Sequence, residues 1–114
     1  MAQYTKKRFS QAGDGLPILV AATATAGTLI HTAHASGEDN IWLYATNSHS
    51  AAVQITVEFG GVAAKDLIFQ SIPVKPSGLV LVIPGLPLTG STAVRVFAAT
   101  ANVISISGYA DRIV

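Results

Sequence analysis

From Leu16 onward the chain runs in apolar stretches of about five to nine residues, rich in Val, Ile, Thr and aromatics, with turn residues breaking them at short intervals. No stretch sustains a helical period. Ala93-Val94-Arg95-Val96-Phe97-Ala98-Ala99 comes nearest, and alanine favours helix, but Val94, Val96 and Ala98 alternate equally well as a strand and turns crowd both ends. The pattern predicts an all-β domain of about eight short antiparallel strands, at 16–22, 28–35, 40–47, 52–59, 66–72, 78–83, 92–99 and 102–109. Strands at that spacing build a single sandwich or barrel, and about eight of them suit a jelly roll.

The breaks have physical causes. Ser36-Gly37-Glu38-Asp39 and Asn47-Ser48-His49-Ser50 are polar turns, built from residues that tolerate tight backbone angles. Gly60-Gly61 ends the fourth strand. Pro73 and Pro76 bracket a loop, because proline lacks the ladder donor. Pro84-Gly85-Leu86-Pro87 reads as a stiff turn. In the fourth strand Val53, Ile55, Val57 and Phe59 point one way, and Gln54, Thr56 and Glu58 face water. In the third, Ile41, Leu43 and Ala45 line one face, while Trp42 and Tyr44 make the other apolar too. Leu79-Val80-Leu81-Val82-Ile83 is apolar throughout and calls for burial on both sides.

Only 11% of the 114 residues are charged, against 50% hydrophobic, where soluble domains carry about 25% charged residues. So little charge, with a formal net charge of +1, leaves weak repulsion between copies and favours association. It also argues against a general nucleic-acid binder. With no cysteine, disulfides and thiolate metal sites are excluded. The two long uncharged stretches, from Leu16 and from Pro76, are broken by threonines, prolines and glycines and fall short of the roughly 20 apolar residues of a spanning helix. A signal peptide, with Lys6-Lys7-Arg8 before an apolar run and Ala24-Thr25-Ala26 as a cleavage site, is disfavoured by Asp14-Gly15 and by Pro17 inside the run.

Residues 1–15 read as an extended basic arm, and residues 16–114 as the β domain. Tyr4-Thr5-Lys6-Lys7-Arg8-Phe9 leads into Gly13-Asp14-Gly15, a flexible joint. Three uses of Lys6-Lys7-Arg8 stand side by side: a clamp on an acidic neighbour, contact with phosphates, or a solvated tail. Removing residues 1–15 is expected to leave a folded domain.

Other chemistry is thin. His31 and His34 have metal-like spacing, but an odd separation sends them to opposite faces of a strand. Ser48, His49 and Asp39 supply the residue types of a hydrolase triad without a nucleophile elbow. Glu38 and Asp39 are a solvated turn or half of a calcium site. No enzyme, metal or cofactor is expected. Trp42 and Tyr44 serve burial, in the core or between subunits, or else form a sugar platform.

Taken together, the basic arm, Gly27-Thr28-Leu29-Ile30-His31-Thr32-Ala33, Asp39-Asn40-Ile41-Trp42-Leu43-Tyr44-Ala45-Thr46-Asn47, Val53-Gln54-Ile55-Thr56-Val57-Glu58-Phe59-Gly60-Gly61 and Asn102-Val103-Ile104-Ser105-Ile106-Ser107-Gly108-Tyr109 resemble the small all-β virion proteins of tailed bacteriophages, most of all head decoration (cement) proteins. The likeness is one of texture rather than of a diagnostic motif. It implies a β-sandwich or barrel on the outer capsid, made in the host cytoplasm, commonly a homotrimer, with arms reaching across seams between major capsid subunits. On that resemblance Lys6, Lys7, Arg8 and Phe9 are the expected contacts with the major capsid protein, and Trp42 and Tyr44 pack the oligomer. No membrane and no specific nucleic acid is implied. The alternatives are a tail, neck or fibre component, or a carbohydrate-binding module.

Overall fold

The computed structural model describes residues 3–74 and 78–114. Among them are nine strands: β1 (Tyr4–Arg8), β2 (Ile18–Leu19), β3 (Thr28–Thr32), β4 (Glu38–Asn47), β5 (Val53–Phe59), β6 (Leu67–Ile72), β7 (Val80–Leu88), β8 (Ala93–Ala98) and β9 (Ile104–Ile113). They form two antiparallel sheets. One runs β1-β9-β4-β7, with β2 beside β1 along the same edge of β9; the other runs β3-β8-β5-β6. Among the described residues no helix is long and apolar enough to cross a membrane.

The pairing is nested. β5 pairs with β6, β4 with β7, β3 with β8 and β2 with β9. The chain is thus one long hairpin, turned back at the β5–β6 connection and rolled so that successive rungs fall in alternate sheets. Further ladders, β4 with β9 and β5 with β8, complete each sheet. The core lies between the layers. β4 contributes Ile41, Leu43 and Ala45, β5 Val53, Ile55 and Val57, β8 Val94, Val96 and Ala98, and β9 Ile104, Ile106 and Ala110. These are the period-2 sets that pleating sends to one face.

Several expectations need correction. The segment read as an arm is built into the sheet: Tyr4–Arg8 pairs in register with Tyr109–Ile113 of β9. Phe9, expected on a partner surface, is 2% exposed and belongs to the core. Its ring reaches β9 at Gly108, where a side chain would run into the Trp42 carbonyl and touch Phe9. Gly108 also has φ 141, a conformation that favours glycine.

Pro84-Gly85-Leu86-Pro87 is not a turn but the second half of β7. Among the described residues β7 pairs only with β4, at a sheet edge, so missing proline donors are tolerated there. Its ladder slips twice, between Ile41 and Trp42 and between Leu43 and Tyr44. The run 79–83 is buried on one side only, because the sheet has a single covered face and the second slip separates the two residues: Ile83, opposite Leu43, is in the core, whereas Leu81, opposite Tyr44, is exposed, as is Leu79. The wet face of β5 is also partly dry. Glu58 and Thr56 are buried; Glu58 accepts hydrogen bonds from Thr25 Oγ1 and the Gly27 N–H, both at 2.7 Å, which fastens the loop before β3 across that face. Pro76, read as closing the Pro73 loop, lies outside the described residues.

Because Phe9 fills the core, Phe9→Ala is expected to cost about 3–5 kcal/mol and to lower the urea midpoint. Removing residues 1–15 is expected to destabilise the domain rather than leave it intact. A midpoint unchanged by Phe9→Ala would show that the side chain is not part of the packed interior.

Candidate functional site

β1 carries the densest charge in the chain on a rigid support. The ladder sets Lys6 opposite Asp111, Lys7 opposite Ala110 and Arg8 opposite Tyr109. Pleating sends Lys6 and Arg8 to the face that bears Tyr109, and Lys7 to the other side of the strand. Lys6 Nζ lies 4.6 Å from the centroid of the Tyr109 ring, a cation–π contact. The chain then doubles back through a turn, with Ala12 N–H on the Phe9 carbonyl at 2.9 Å, and brings Gly15 alongside the Arg8 stem. Between strand and turn opens a cleft of about 410 Å³, lined by Lys6, Lys7, Arg8, Phe9, Ser10, Ala12 and Gly13. The three cations are solvent-exposed, and among the described residues none makes an ion pair.

Trp42 and Tyr44 lie half-buried on the outer face of the same sheet. Trp42 stacks on Tyr109 with centroids 6.2 Å apart and planes at 16°. It also packs so closely on Gly85 of β7 that a Cβ there would strike the indole. The row thus runs Lys6, Tyr109, Trp42, Gly85 across four strands, each ring flanked by its neighbours. This packing takes up part of the indole surface that a sugar platform would present. Indole Nε1 is buried, with no hydrogen-bond partner among the described residues. Tyr44 stands opposite Ser107 and Leu81.

Behind the basic strand lies a buried polar cluster. Asp39, inaccessible to solvent, accepts from Arg112 Nε at 2.8 Å and Nη2 at 2.9 Å, a two-pronged pair, and from His31 Nε2 at 2.7 Å. His31 Nδ1 accepts the Ser10 backbone N–H at 2.9 Å, which leaves the proton on Nε2. Ser10 Oγ accepts the Thr32 N–H at 2.9 Å, and the two imidazole nitrogens are engaged by the Ser10 backbone and by Asp39 rather than by this hydroxyl. Burial alone raises the Asp39 carboxyl. The hydrogen bonds from Arg112 and then His31 outweigh it and hold the group at about 2, below its ordinary 3.8. The hydrogen bond to Asp39 likewise raises Arg112.

The sequence reading missed this cluster. It placed Asp39 in a solvated turn and kept strand pairing to residue 40 onward, whereas β4 starts at Glu38. The signal was present: Asp39 is in phase with Ile41, Leu43 and Ala45, and Arg112 with Ala110. His31 gave no such sign, because a register shift between Leu29 and His31 buries Ile30 and His31 together. His34 lies beyond β3 and caps a turn, accepting the N–H groups of Ser36 and Gly37. The His49 N–H bonds Asn47 Oδ1; Ser48 and His49 follow the end of β4 and Asp39 lies at its start, so the three are not brought together. Among the described residues no three His, Asp or Glu side chains gather as metal ligands.

No protein-family model, curated protein or solved structure matches this chain.

The cluster predicts a specific acid sensitivity. A carboxyl depressed on folding contributes stability above its unfolded pKa, and that stability is lost as pH falls through the folded value. The drop from 3.8 to about 2 corresponds to about 2 kcal/mol, lost between roughly pH 4 and pH 2. Urea melts across that range are expected to show the loss, and Asp39→Asn to remove this part of the slope. An unchanged slope in Asp39→Asn would assign it to other carboxyls.

Proposed function

We propose that this chain is a non-enzymatic structural protein of a virion, one that binds the outer surface of the capsid and holds neighbouring capsid subunits together. The observation that carries the reading is the basic edge. Lys6, Lys7 and Arg8 stand exposed on an ordered strand, free of ion pairs among the described residues, around a cleft of about 410 Å³. A foreign acidic surface, such as that of a major capsid protein, is the natural complement of such an edge.

Two further features support it. We read the nested ladders β5·β6, β4·β7, β3·β8 and β2·β9 as those of a jelly roll, an architecture used by viral capsid proteins and also by lectins and cupins. The fold by itself therefore does not choose the function. The charge-poor remainder of the chain, 11% charged overall, suits a protein covered by copies of itself in a symmetric assembly. The flanked indole of Trp42 weighs against the carbohydrate-binding alternative.

In this reading the clamp is not a flexible arm. The three cations are presented by a strand whose next residue, Phe9, anchors it in the core. Little backbone entropy remains to be lost on docking, which favours binding. Each contact is modest, and repetition around the particle raises the collective stabilisation.

Lys6→Gln/Lys7→Glu is expected to fold normally, since both side chains are exposed and no carboxylate is set opposite Asp111. It should sediment with capsids stripped of the native protein about tenfold more weakly than wild type. Wild-type binding should itself weaken as salt screens the edge. Equal binding by variant and wild type would remove the basic edge from the interface, and absence of wild-type binding would remove the capsid reading.

A further inference from the structure

A two-sheet protein has strand edges to protect, because an open edge presents a row of unpaired backbone donors and acceptors that another strand can pair with. Three regions of edge in this molecule are visibly defended. At the β1 and β2 edge, β1 carries Lys6, Lys7 and Arg8, and β2 is only two residues long. β7 contains Pro84 and Pro87, and its ladder is broken by two register shifts. β3 is covered by the turn after β1: the Gln11 N–H reaches the Ile30 carbonyl at 3.2 Å, and Ser10 Oγ takes the Thr32 N–H.

The fourth edge, β6, has none of these devices. Leu67-Ile68-Phe69-Gln70-Ser71-Ile72 contains no charge and no proline. Its ladder with β5 runs from Val53↔Ile72 to Glu58↔Leu67 without a shift. Among the described residues, β6 bonds outside β5 only at its two ends, through the Leu67 N–H to the Ala64 carbonyl and the Ile72 carbonyl to the Asn47 side chain. Phe69 is 60% exposed beside this edge. From Leu67 to Val94 the sequence holds a single charged residue, Lys75.

We infer that β6 is a self-association edge, and that its partner is β6 of a second copy, running antiparallel about a twofold axis. The strand suits itself in a way that β1 does not. Three cations on β1 would meet three cations on its copy, and like charges directly opposite destabilise a ladder. β6 meets itself with no charge at all, and the net charge of +1 per chain leaves little long-range repulsion. Opposed residues of an antiparallel pair share a face. A twofold axis normal to the sheet therefore passes beside a residue rather than between two, and the most complete overlap of β6 puts it beside Phe69 or beside Gln70. Either register joins two four-stranded sheets into one continuous sheet; about Phe69 the two Phe69 side chains meet directly, and about Gln70 each Phe69 stands opposite Ser71 with the partner's Phe69 on the diagonal. The basic edge of β1 belongs to the other sheet and is not used. The inference does not rest on the capsid reading, and it gives a twofold contact where the phage resemblance implies a trimer.

The test is the solution mass of the full chain, with three variants. Wild type is expected at twice the 11.8 kDa of one chain at micromolar and higher concentration. Phe69→Lys/Ser71→Lys changes two exposed positions on one face of the edge and is expected to halve that mass without altering the far-ultraviolet spectrum. The chain has no cysteine, so Phe69→Cys and Gln70→Cys each report on one register. The residue beside the axis meets its own copy at a separation a disulfide spans, and one of the two variants should oxidise to a covalent dimer. A wild type monomeric throughout overturns the inference. So does a trimer or any other oligomer that survives Phe69→Lys/Ser71→Lys, or failure of both cysteine variants to cross-link. Mass is read without capsids, so its failure is separate from any failure of capsid binding.

Discussion

Asp39 is a full negative charge with no access to water, and the local architecture is arranged to answer it. Arg112 comes from the neighbouring strand β9, directly across the ladder, while His31 comes from β3 in the facing sheet. One carboxylate therefore ties the two layers together. His31 passes the connection on through Nδ1 to the backbone of Ser10, so the turn after β1 is held by the same network. Burying a charge in this way costs solvation that only good geometry repays, and removing any partner would strand the others. The cluster is better understood as a device that sets how the layers and the N-terminal turn meet than as a source of net stability.

That attachment decides what the basic segment is. Beyond the three cations, Phe9 drops into the interior over Gly108, and Ser10 is bonded to both His31 and Thr32. Lys6, Lys7 and Arg8 are consequently displayed at fixed spacing along β9, and a cleft forms between strand and turn. Charge on a prepared support binds with less loss of freedom than charge on a free tail. The molecule is also asymmetric. One side of the sandwich presents its cations together with Tyr4, Leu16 and Leu19, while the side bearing β6 and β7 exposes Phe69, Leu79 and Leu81. A surface divided in this way suits a component that meets different neighbours on different sides.

The strand positions were largely legible before the structure, because alternation and turn chemistry are local. All eight expected strands have counterparts, and the inward sets of β4 and β5 follow the period-2 pattern. What misled the reading were residues whose meaning depends on a neighbour strand. Pro84 and Pro87 signal a turn by local rules, yet an edge strand accepts them. Glu58 alternates onto a face that would be wet if the loop of Thr25 and Gly27 did not cross it. Lys6-Lys7-Arg8 looks like a tail because nothing nearby in sequence pairs with it; its partner, Tyr109–Ile113, lies at the other end of the chain.

The sequence alone therefore determined the all-β class, the strand spacing, most of the buried face of each central strand and the shortage of charge, since each depends on residues within a few positions of one another. Only the tertiary structure decided the nested pairing order, the place of β1 in the sheet, the burial of Phe9 and the Asp39 cluster. These join residues as far apart as Tyr4 and Ile113. No local periodicity encodes which strand a free edge will meet, or which buried charge will find its counterpart across the layers.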